Sequence, residues 1–275
     1  MDCVVNVGIF LNHAQPHTGP GKVAINLLKG FKEIGVDFRI NDIGVVNGCL
    51  QPVPNLNTLP LNTLIGPNIM VLPSEMPYIW ERYKNYVVPC EWVKKKYASF
   101  QQTKNCNLNV WPVGIDTDKF KESNNEKKFD CLIYYKNRGK EKLKEAEDKL
   151  KSLGISYKTI GYGSYTEEQF LDLLSKCKWS LLLTKTESQG IAYMEILSTN
   201  TPCYVWDKER WDDIKPYNFK ATSAPYFDTR CGIKHKDLSK LSEFIDRLEN
   251  FQPREYILEN FTLKKCASEY ISLLK

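Results

Sequence analysis

Apolar and polar positions change in blocks along the chain, and the blocks predict strands and helices in turn. Short continuous apolar runs are typical of strands buried on both faces, and apolar residues at helical spacing mark the stretches between them. The predicted strands are 4–10, 37–40, 64–72, 86–89, 109–112, 130–135, 156–160, 179–184 and 202–206. The predicted helices are 22–34, 91–100, 141–152, 166–177, 187–199, 238–248 and 262–274. Such alternation favours an α/β protein with parallel sheets.

A polar stretch at 118–128 divides this pattern into two α/β series. It is rich in charged residues and Asn and lacks an apolar repeat, as linkers do. We therefore predict two Rossmann-like domains, 1–118 and 119–275, that face each other across a cleft. Ligands of open parallel sheets bind beyond the carboxyl ends of the strands. The polar residues that follow the predicted strands are thus the candidates for a site.

Composition narrows the class of protein. The chain has 275 residues, of which 42% are hydrophobic and 26% charged, as expected for a soluble globular protein. Its net charge of +5 helps to attract anionic ligands or a membrane surface, but it does not predict nucleic-acid binding. The nine cysteines form no C-x-x-C pair, which favours a reducing, cytoplasmic location without structural zinc. We expect neither a signal peptide nor a membrane-spanning segment.

Two carboxylates, Glu187 and Glu195, frame the segment that follows the predicted strand 179–184. A helix that begins there offers free backbone N–H groups and a positive dipole end to phosphate or sugar oxygens. Positions eight apart lie about 12 Å apart along a helix axis, enough to hold both ends of an elongated nucleotide sugar. Surface helices commonly carry the same spacing, so the neighbouring residues must decide between these interpretations.

Three cations, Lys136, Arg138 and Lys140, follow another predicted strand. At the carboxyl edge of a sheet they can clamp a diphosphate, with a bidentate contact from the arginine. The alternative is an ordinary solvated turn.

A turn with two glycines and two tyrosines, 161–165, follows the predicted strand 156–160. Gly163 permits a close backbone approach, and Tyr165 can cover the face of a base or sugar. The alternative is a plain turn in which Tyr165 belongs to the core.

The first predicted strand is followed by a polar turn that contains His13, Gly19 and Gly21. The two glycines are a weak signal for phosphate binding. His13 can orient an acceptor or act as a base, although a surface histidine is the plainer interpretation. The chain has no G-x-G-x-x-G and no P-loop, which argues against dinucleotide oxidoreductases and P-loop NTPases. No cluster has metal-ligand spacing, so we expect no metal.

Several of these motifs together resemble the retaining GT-B glycosyltransferases of family 4, glycosyl transferases group 1. Glu187 and Glu195 match the E-x7-E motif. The segment 110–120 is similar to the inter-domain pattern Pro-x-Gly-Val-Asp-x-x-x-Phe, 86–93 to a strand-turn-helix, and 200–205 to a Gly-x-Pro-Val strand. The resemblance covers nearly the whole chain. It implies the GT-B architecture, in which the terminal helix, 262–275, can cross back to the N-terminal domain.

The resemblance also implies roles for residues. Glu187 would bind hydroxyls of the donor sugar, and Glu195 would hold the ribose. The family's Gly-Arg-x4-Lys-Gly motif is replaced by 135–140, and its catalytic His or Asp has no clear match, with His13 the nearest candidate. Residues implied in catalysis are Glu187, Arg138, Lys136 and His13. Residues implied in donor binding are Gly19, Gly21, Lys140, Gly163, Tyr165, Ser188, Gln189, Gly190 and Glu195.

The implied reaction is retaining transfer of a hexose from a UDP- or GDP-linked sugar to an acceptor hydroxyl, without metal or other cofactor. The implied acceptor is a glycan, a lipid-linked sugar or a protein, with no nucleic acid and at most peripheral membrane contact. The expected location is the cytoplasm or the cytoplasmic membrane face, in a host cell if a virus encodes the chain. The alternatives are a nucleotide-sugar epimerase of the same fold, a non-catalytic nucleotide-sugar-binding protein, and an interaction protein without a small ligand.

Overall fold

The chain folds into two compact units, each built on a parallel sheet. The structure, a computed structural model, describes residues 7–11, 18–51, 58–69 and 71–274. The first unit runs to Gly114 and resumes at Phe261, and the second is Ile115–Asn260. The α/β class predicted from the alternating pattern is confirmed.

The first unit contains a six-stranded sheet in the order β2-β1-β3-β4-β5-β6, and every pairing in it is parallel. Its strands are β1 (Val7–Phe10), β2 (Phe38–Ile40), β3 (Val46–Cys49), β4 (Leu64–Ile65), β5 (Asn85–Val88) and β6 (Asn107–Val110). Its helices before the crossing are α1 (Gly19–Glu33), α2 (Pro77–Arg82) and α3 (Glu91–Ala98). Strands β1 and β5, which the apolar runs predicted, are buried except at one end residue each.

The sequence did not predict two short elements of the first unit, and one strand is shorter than predicted. Strand β3 contains Asn47 and Gly48 and so lacks an apolar run, while α2 has only six residues. The strand predicted at 64–72 ends at Ile65, because Gly66 has a φ of 108° and Pro67 has no N–H to donate.

The second unit contains a five-stranded parallel sheet in the order β13-β10-β9-β7-β8, and a separate two-stranded antiparallel sheet. Its strands are β7 (Phe129–Lys136), β8 (Tyr157–Gly161), β9 (Cys177–Thr184), β10 (Cys203–Trp206), β11 (Arg210–Trp211), β12 (Phe219–Lys220) and β13 (Gly232–His235). Its helices are α4 (Lys140–Ser152), α5 (Glu167–Lys176), α6 (Ile191–Ser198), α7 (Leu241–Asp246) and α8 (Pro253–Asn260).

Strand β9 lies at the centre of this sheet, and every residue in it except Lys178 is buried. Trp179 packs edge-on against Phe244 of α7, with the ring centroids 5.2 Å apart. Each buried leucine of such a strand contributes about 1.5–3 kcal/mol to folding. The apolar run that predicted β9 is therefore the core of the second unit.

Helix boundaries follow from local caps. Thr166 begins α5 with a capping box: its Oγ1 accepts from Gln169 N at 3.2 Å, and its own N–H donates to Gln169 Oε1 at 2.9 Å. The cap predicted at Thr166 is confirmed. The helix predicted at 238–248 is shorter, with 3₁₀ turns on both sides of α7, and α8 was missed because it buries only Pro253 and Ile257.

The terminal helix, α9 (Leu263–Leu273), belongs to the first unit. Trp111 Nε1 donates to Cys266 O at 2.8 Å, and the Trp111 ring lies 4.8 Å from that of Tyr270. A Cβ added to Gly30 of α1 would lie 2.5 Å from Leu263 O, so α1 and α9 pack closely. The terminal helix therefore completes the first unit after the chain has passed through the second.

The crossing from the first unit to the second is short. Asn26 Nδ2 donates to Gly114 O at 2.8 Å within the first unit. Arg254 of α8 holds the start of the second unit, donating to Thr117 O at 3.1 Å and to Phe120 O at 3.0 Å. The division at Gly114 lies four residues before the predicted one at 118.

Among the helices of the described ranges, none has the length and apolar character needed to cross a bilayer.

Candidate functional site

The carboxyl ends of β7, β8, β9 and β10 lie along one edge of the second sheet, because all four strands are parallel. Lys136, the last residue of β7, pairs with Thr184, the last residue of β9. Gly161 at the end of β8 pairs with Tyr135. Ligands of open parallel sheets bind at such an edge, and the predicted cations and Glu187 follow it directly.

Lys136 and Glu187 form an ion pair at this edge. Lys136 Nζ lies 2.9 Å from Oε1 and 3.0 Å from Oε2 of Glu187, which is only 9% exposed. Burial raises the pKa of the Glu187 carboxyl above its ordinary value, and the Lys136 charge opposes this rise. Lys136 Nζ also lies 4.5 Å from the centroid of the Tyr162 ring. The cation is thus held between a buried carboxylate and an aromatic face.

Arg138 is directed to the same edge by a tight turn. Its neighbours Asn137 and Gly139 have φ values of 54° and 92°, a conformation that both residue types tolerate. Arg138 Nη1 donates to Thr184 O at 2.7 Å. Burial lowers the pKa of the guanidinium, and the charge of Asp207 opposes this. Arginine stays protonated under such shifts, so the edge carries a fixed positive charge.

Gly190 sets the start of α6. It has a φ of 72°, and a Cβ added there would overlap the Tyr193 ring. Tyr193 cannot easily turn away, because it is buried and its hydroxyl accepts from Tyr226 N at 2.9 Å. Glycine is therefore required where the chain turns from the Glu187 segment into the helix.

Glu195 is buried within α6, with 3% of its surface exposed. Tyr134 and Tyr165 lie near it, and their ring centroids are 6.4 Å apart. Burial raises the pKa of Tyr165 to about 12, and the Glu195 charge adds to this rise. Because α6 is buried over most of its surface, the alternative of an ordinary surface helix is wrong.

The prediction that Glu187 and Glu195 lie on one helix is wrong. The helix begins at Ile191, so Glu187 lies in the preceding turn, and the 12 Å separation expected within one helix does not apply. Glu187 N instead donates to Thr222 O at 3.0 Å.

The other residues of the second unit that were predicted to bind the donor differ in their solvent exposure. Gln189 is buried and Ser188 is exposed. Gly163 lies in an exposed turn with a φ of 80°, and the Tyr165 ring packs 5.1 Å from that of Phe170, as the core alternative expected. Lys140 is the exposed first residue of α4.

The candidate residues of the first unit are placed differently from the prediction. Gly19 and Gly21 lie in the first turn of α1, not in an open loop. Thr18 caps the helix, since its Oγ1 accepts from Gly21 N at 3.1 Å, and Pro20 is tolerated in a first turn. The Gly21 N–H is therefore used by the cap. His13 lies outside the described residues.

Three residues at the edge were not predicted: Asp207, Thr222 and Ser223. Asp207 follows β10 and is 8% exposed. Its Oδ1 accepts from Ser223 N at 2.6 Å, and its Oδ2 accepts from Thr222 Oγ1 at 3.0 Å. The rule that identified Lys136 could have found Asp207, since it follows the predicted strand 202–206 directly.

Within the described part of the chain, no group of three or more His, Cys, Asp or Glu side chains is placed to hold a metal ion. The eight described cysteines form no disulfide, and seven of them are buried.

Comparisons with known proteins bear on the fold. No family model matches the chain. No curated protein matches it. An alpha-glucosyltransferase (AGT) in complex with UDP superposes with a TM-score of 0.59 at 9% identity, over 98% of this chain and 99% of that chain. WaaG, a glycosyltransferase involved in lipopolysaccharide biosynthesis, gives 0.55 at 10% identity over the same shares. The chain has the GT-B fold.

Alpha-glucosyltransferase in complex with UDP-glucose and DNA containing an abasic site is also similar, with a TM-score of 0.60 at 10% identity. The superposition with this structure covers 98% of this chain and 99% of the alpha-glucosyltransferase chain. At these identities the likeness establishes the architecture alone. The GT-B prediction is confirmed, and membership of family 4 stays a prediction.

Proposed function

We propose that this chain is a glycosyltransferase that binds a nucleoside diphosphate sugar at the carboxyl edge of the second sheet. The observation that carries the proposal is the grouping of Lys136, Arg138 and Glu187 at that edge. The fold supports it, since the similar structures are glycosyltransferases, and the two alpha-glucosyltransferase structures contain UDP or UDP-glucose.

The edge offers the groups that a donor requires. Lys136 and Arg138 supply positive charge for the diphosphate, and Arg can contact two oxygens at once. The Glu187 carboxylate accepts hydrogen bonds from sugar hydroxyls, and we assign the ribose end of the donor to Glu195. Donor phosphate would compete with Glu187 for Lys136. Loss of the Lys136–Glu187 ion pair would therefore accompany donor binding.

We assign the reaction as retaining transfer of a hexose from a UDP- or GDP-linked sugar. The bond between the anomeric carbon and the phosphate oxygen breaks, and a bond from that carbon to the acceptor oxygen forms. The acceptor proton passes to the leaving phosphate oxygen on the same face of the sugar. Arg138 and Lys136 stabilise the charge that grows on the diphosphate, which speeds the reaction because that charge is largest in the transition state. These two cations act without a required metal ion.

The test is a transfer assay with a panel of donors and acceptors. UDP-glucose, UDP-N-acetylglucosamine, GDP-mannose and ADP-glucose are incubated with oligosaccharides, lipid-linked sugars, peptides and duplex DNA, with and without EDTA. We expect acceptor-dependent release of one nucleoside diphosphate, unaffected by EDTA, and NMR of the product should show the donor's anomeric configuration.

Matched arginine variants locate the activity. Arg138→Ala should abolish most turnover, whereas Arg210→Ala, which removes an exposed guanidinium bonded to Asn218, should leave it unchanged. Conversion of donor without any acceptor would support the epimerase instead, and binding without turnover would support the non-catalytic alternative.

A further inference from the structure

A buried carboxylate at the donor edge has no role in the function proposed above. Asp207 accepts one hydrogen bond from Ser223 N and one from Thr222 Oγ1. A carboxylate that is 8% exposed loses most of its hydration, and its charge is tolerated only if protein groups compensate it. Two of its three hydrogen-bond donors come from one short segment, Ala221–Ala224, which we call the strap. The third donor, Glu209 N at 3.4 Å, lies outside the strap.

The strap connects Asp207 to the backbone of the donor site. Thr222 O accepts from Glu187 N at 3.0 Å. Ser223 Oγ donates to Thr184 O at 3.3 Å. The two strap residues that bind Asp207 therefore also bind the two ends of the segment 184–187, which leads from β9 to the sugar-binding carboxylate.

Arg138 is anchored to the same point. Its Nη1 donates to Thr184 O at 2.7 Å, the carbonyl that also accepts from Ser223 Oγ. The negative charge of Asp207 also favours the charged form of Arg138 and so opposes the effect of its burial. Asp207 is thus linked both to Arg138 and to the main chain of Glu187.

We propose that Asp207 is a positioning residue for donor binding, and this rests on the proposed function. Through the strap it holds the main chain of Glu187 and the Thr184 carbonyl that anchors Arg138, and so keeps the two groups at a fixed separation. A ligand that spans both groups requires this separation. A ligand that contacts Arg138 but not Glu187, such as the free nucleotide, does not.

The separation can be tested with two probe pairs, UDP against UDP-glucose and GDP against GDP-mannose, titrated calorimetrically into the full-length chain. Asp207→Ala should weaken binding of the nucleotide sugar about tenfold or more and lower kcat, since small displacements of reacting groups have effects of this size. The affinity for the matching free nucleotide should stay within about threefold. Asp207→Asn keeps an acceptor for Ser223 N and should recover part of the loss.

A double-mutant cycle distinguishes positioning from general stability. In the Glu187→Gln background, Asp207→Ala should add little, because both changes act on the same contact with the sugar. Asp212→Asn is the matched control, since Asp212 is an exposed carboxylate that pairs with Lys208 outside the strap. It should leave both affinities unchanged.

Equal losses for nucleotide and nucleotide sugar, or a full additional loss in the Glu187→Gln background, would overturn the positioning role. If Asp207→Ala does not fold, Thr222→Val removes one hydrogen bond to the carboxylate and should show the same selective loss at a smaller size. Wild-type protein that binds none of the probes would overturn the proposed function and this role with it. Wild-type binding with an unchanged Asp207→Ala variant would overturn the role of Asp207 alone.

Discussion

At the scale of single residues, Glu187 has an environment unlike that of an ordinary surface carboxylate. It is 9% exposed and in contact with Lys136, and burial keeps its pKa above the ordinary value of 4.5. Protonation turns one carboxyl oxygen into an O–H donor and removes the negative charge, which weakens the hydrogen bonds that this group accepts. Donor binding should therefore depend on the pH range in which Glu187 ionises.

We expect kcat/KM for the donor to fall as the pH is lowered through the raised pKa of Glu187, with an acid limb above 4.5. Glu187→Gln should be slow and should lack this limb, whereas Glu243→Gln, a change at an exposed carboxylate, should retain it. The measurement is a pair of pH–rate profiles. An identical limb in Glu187→Gln would contradict the assignment.

The same raised pKa affects stability with a definite sign. The folded state binds the Glu187 proton more tightly than the unfolded state does. The contribution of this group to the free energy of unfolding is therefore largest below 4.5 and decreases as the pH rises through the raised pKa.

The expectation that polar residues cluster at the carboxyl ends of parallel strands predicted which charged side chains lie together at this edge. Lys136, Arg138 and Glu187 follow predicted strands, and the structure places them together. The same expectation did not predict the burial of Glu195, because the spacing of two carboxylates does not distinguish an exposed helix from a buried one. Nor could a side-chain pattern predict the Thr222 contact, which is made by a backbone carbonyl.

At the scale of elements, the start of α6 depends on Gly190. Gly190 and Gly154 have nearly the same φ, 72° and 68°, but differ in surroundings. A Cβ at Gly154 would meet nothing within 4 Å, whereas one at Gly190 would overlap the Tyr193 ring. Alanine substitutions at the two glycines therefore distinguish the cost of backbone strain from the cost of steric overlap.

Gly154→Ala should lower the free energy of unfolding by about 1–2 kcal/mol, the usual effect of a left-handed conformation. Gly190→Ala should lower it by about 1–3 kcal/mol more, because the Tyr193 ring must also move. Urea unfolding of the two variants measures the difference. Equal losses of unfolding free energy in the two variants would mean that the Tyr193 ring moves aside at no energetic cost.

Strands that contain an apolar run were predicted whatever their length: β7 and β9 have eight residues each, and β1 has four. Strands β3 and β13 were missed because Asn47 and Lys234 interrupt their apolar residues. Helix α1 begins three residues before the prediction, because Thr18 caps it and a first turn tolerates Pro20.

At the scale of the whole molecule, the two units differ in charge. By sequence, the first has thirteen Lys+Arg against eight Asp+Glu, and the second has twenty-five of each. The first unit thus carries the whole net charge of +5. At the edge proposed to bind the donor, positive charge therefore comes from local cations and not from a net charge of the second unit.

The terminal helix should be required by the first unit alone. A chain that ends at Asn260 lacks the buried residues of α9, among them Tyr270, and leaves α1 and Trp111 uncovered. We expect rapid amide exchange in α1 and retained protection in β9, measured by hydrogen-exchange mass spectrometry. A chain that ends at Leu273 is the control and should behave as wild type. Loss of protection in β9 equal to that in α1 would contradict the division into units.

The most direct test of the central claim is calorimetric titration of UDP, GDP and ADP into the wild-type chain, Arg138→Ala and Arg210→Ala. One nucleotide should bind the wild type, and Arg138→Ala should weaken it about tenfold or more, the value of one charged hydrogen bond. Arg210→Ala should bind as the wild type does. Absence of binding at millimolar nucleotide, or equal affinity in Arg138→Ala, would contradict a donor site at this edge.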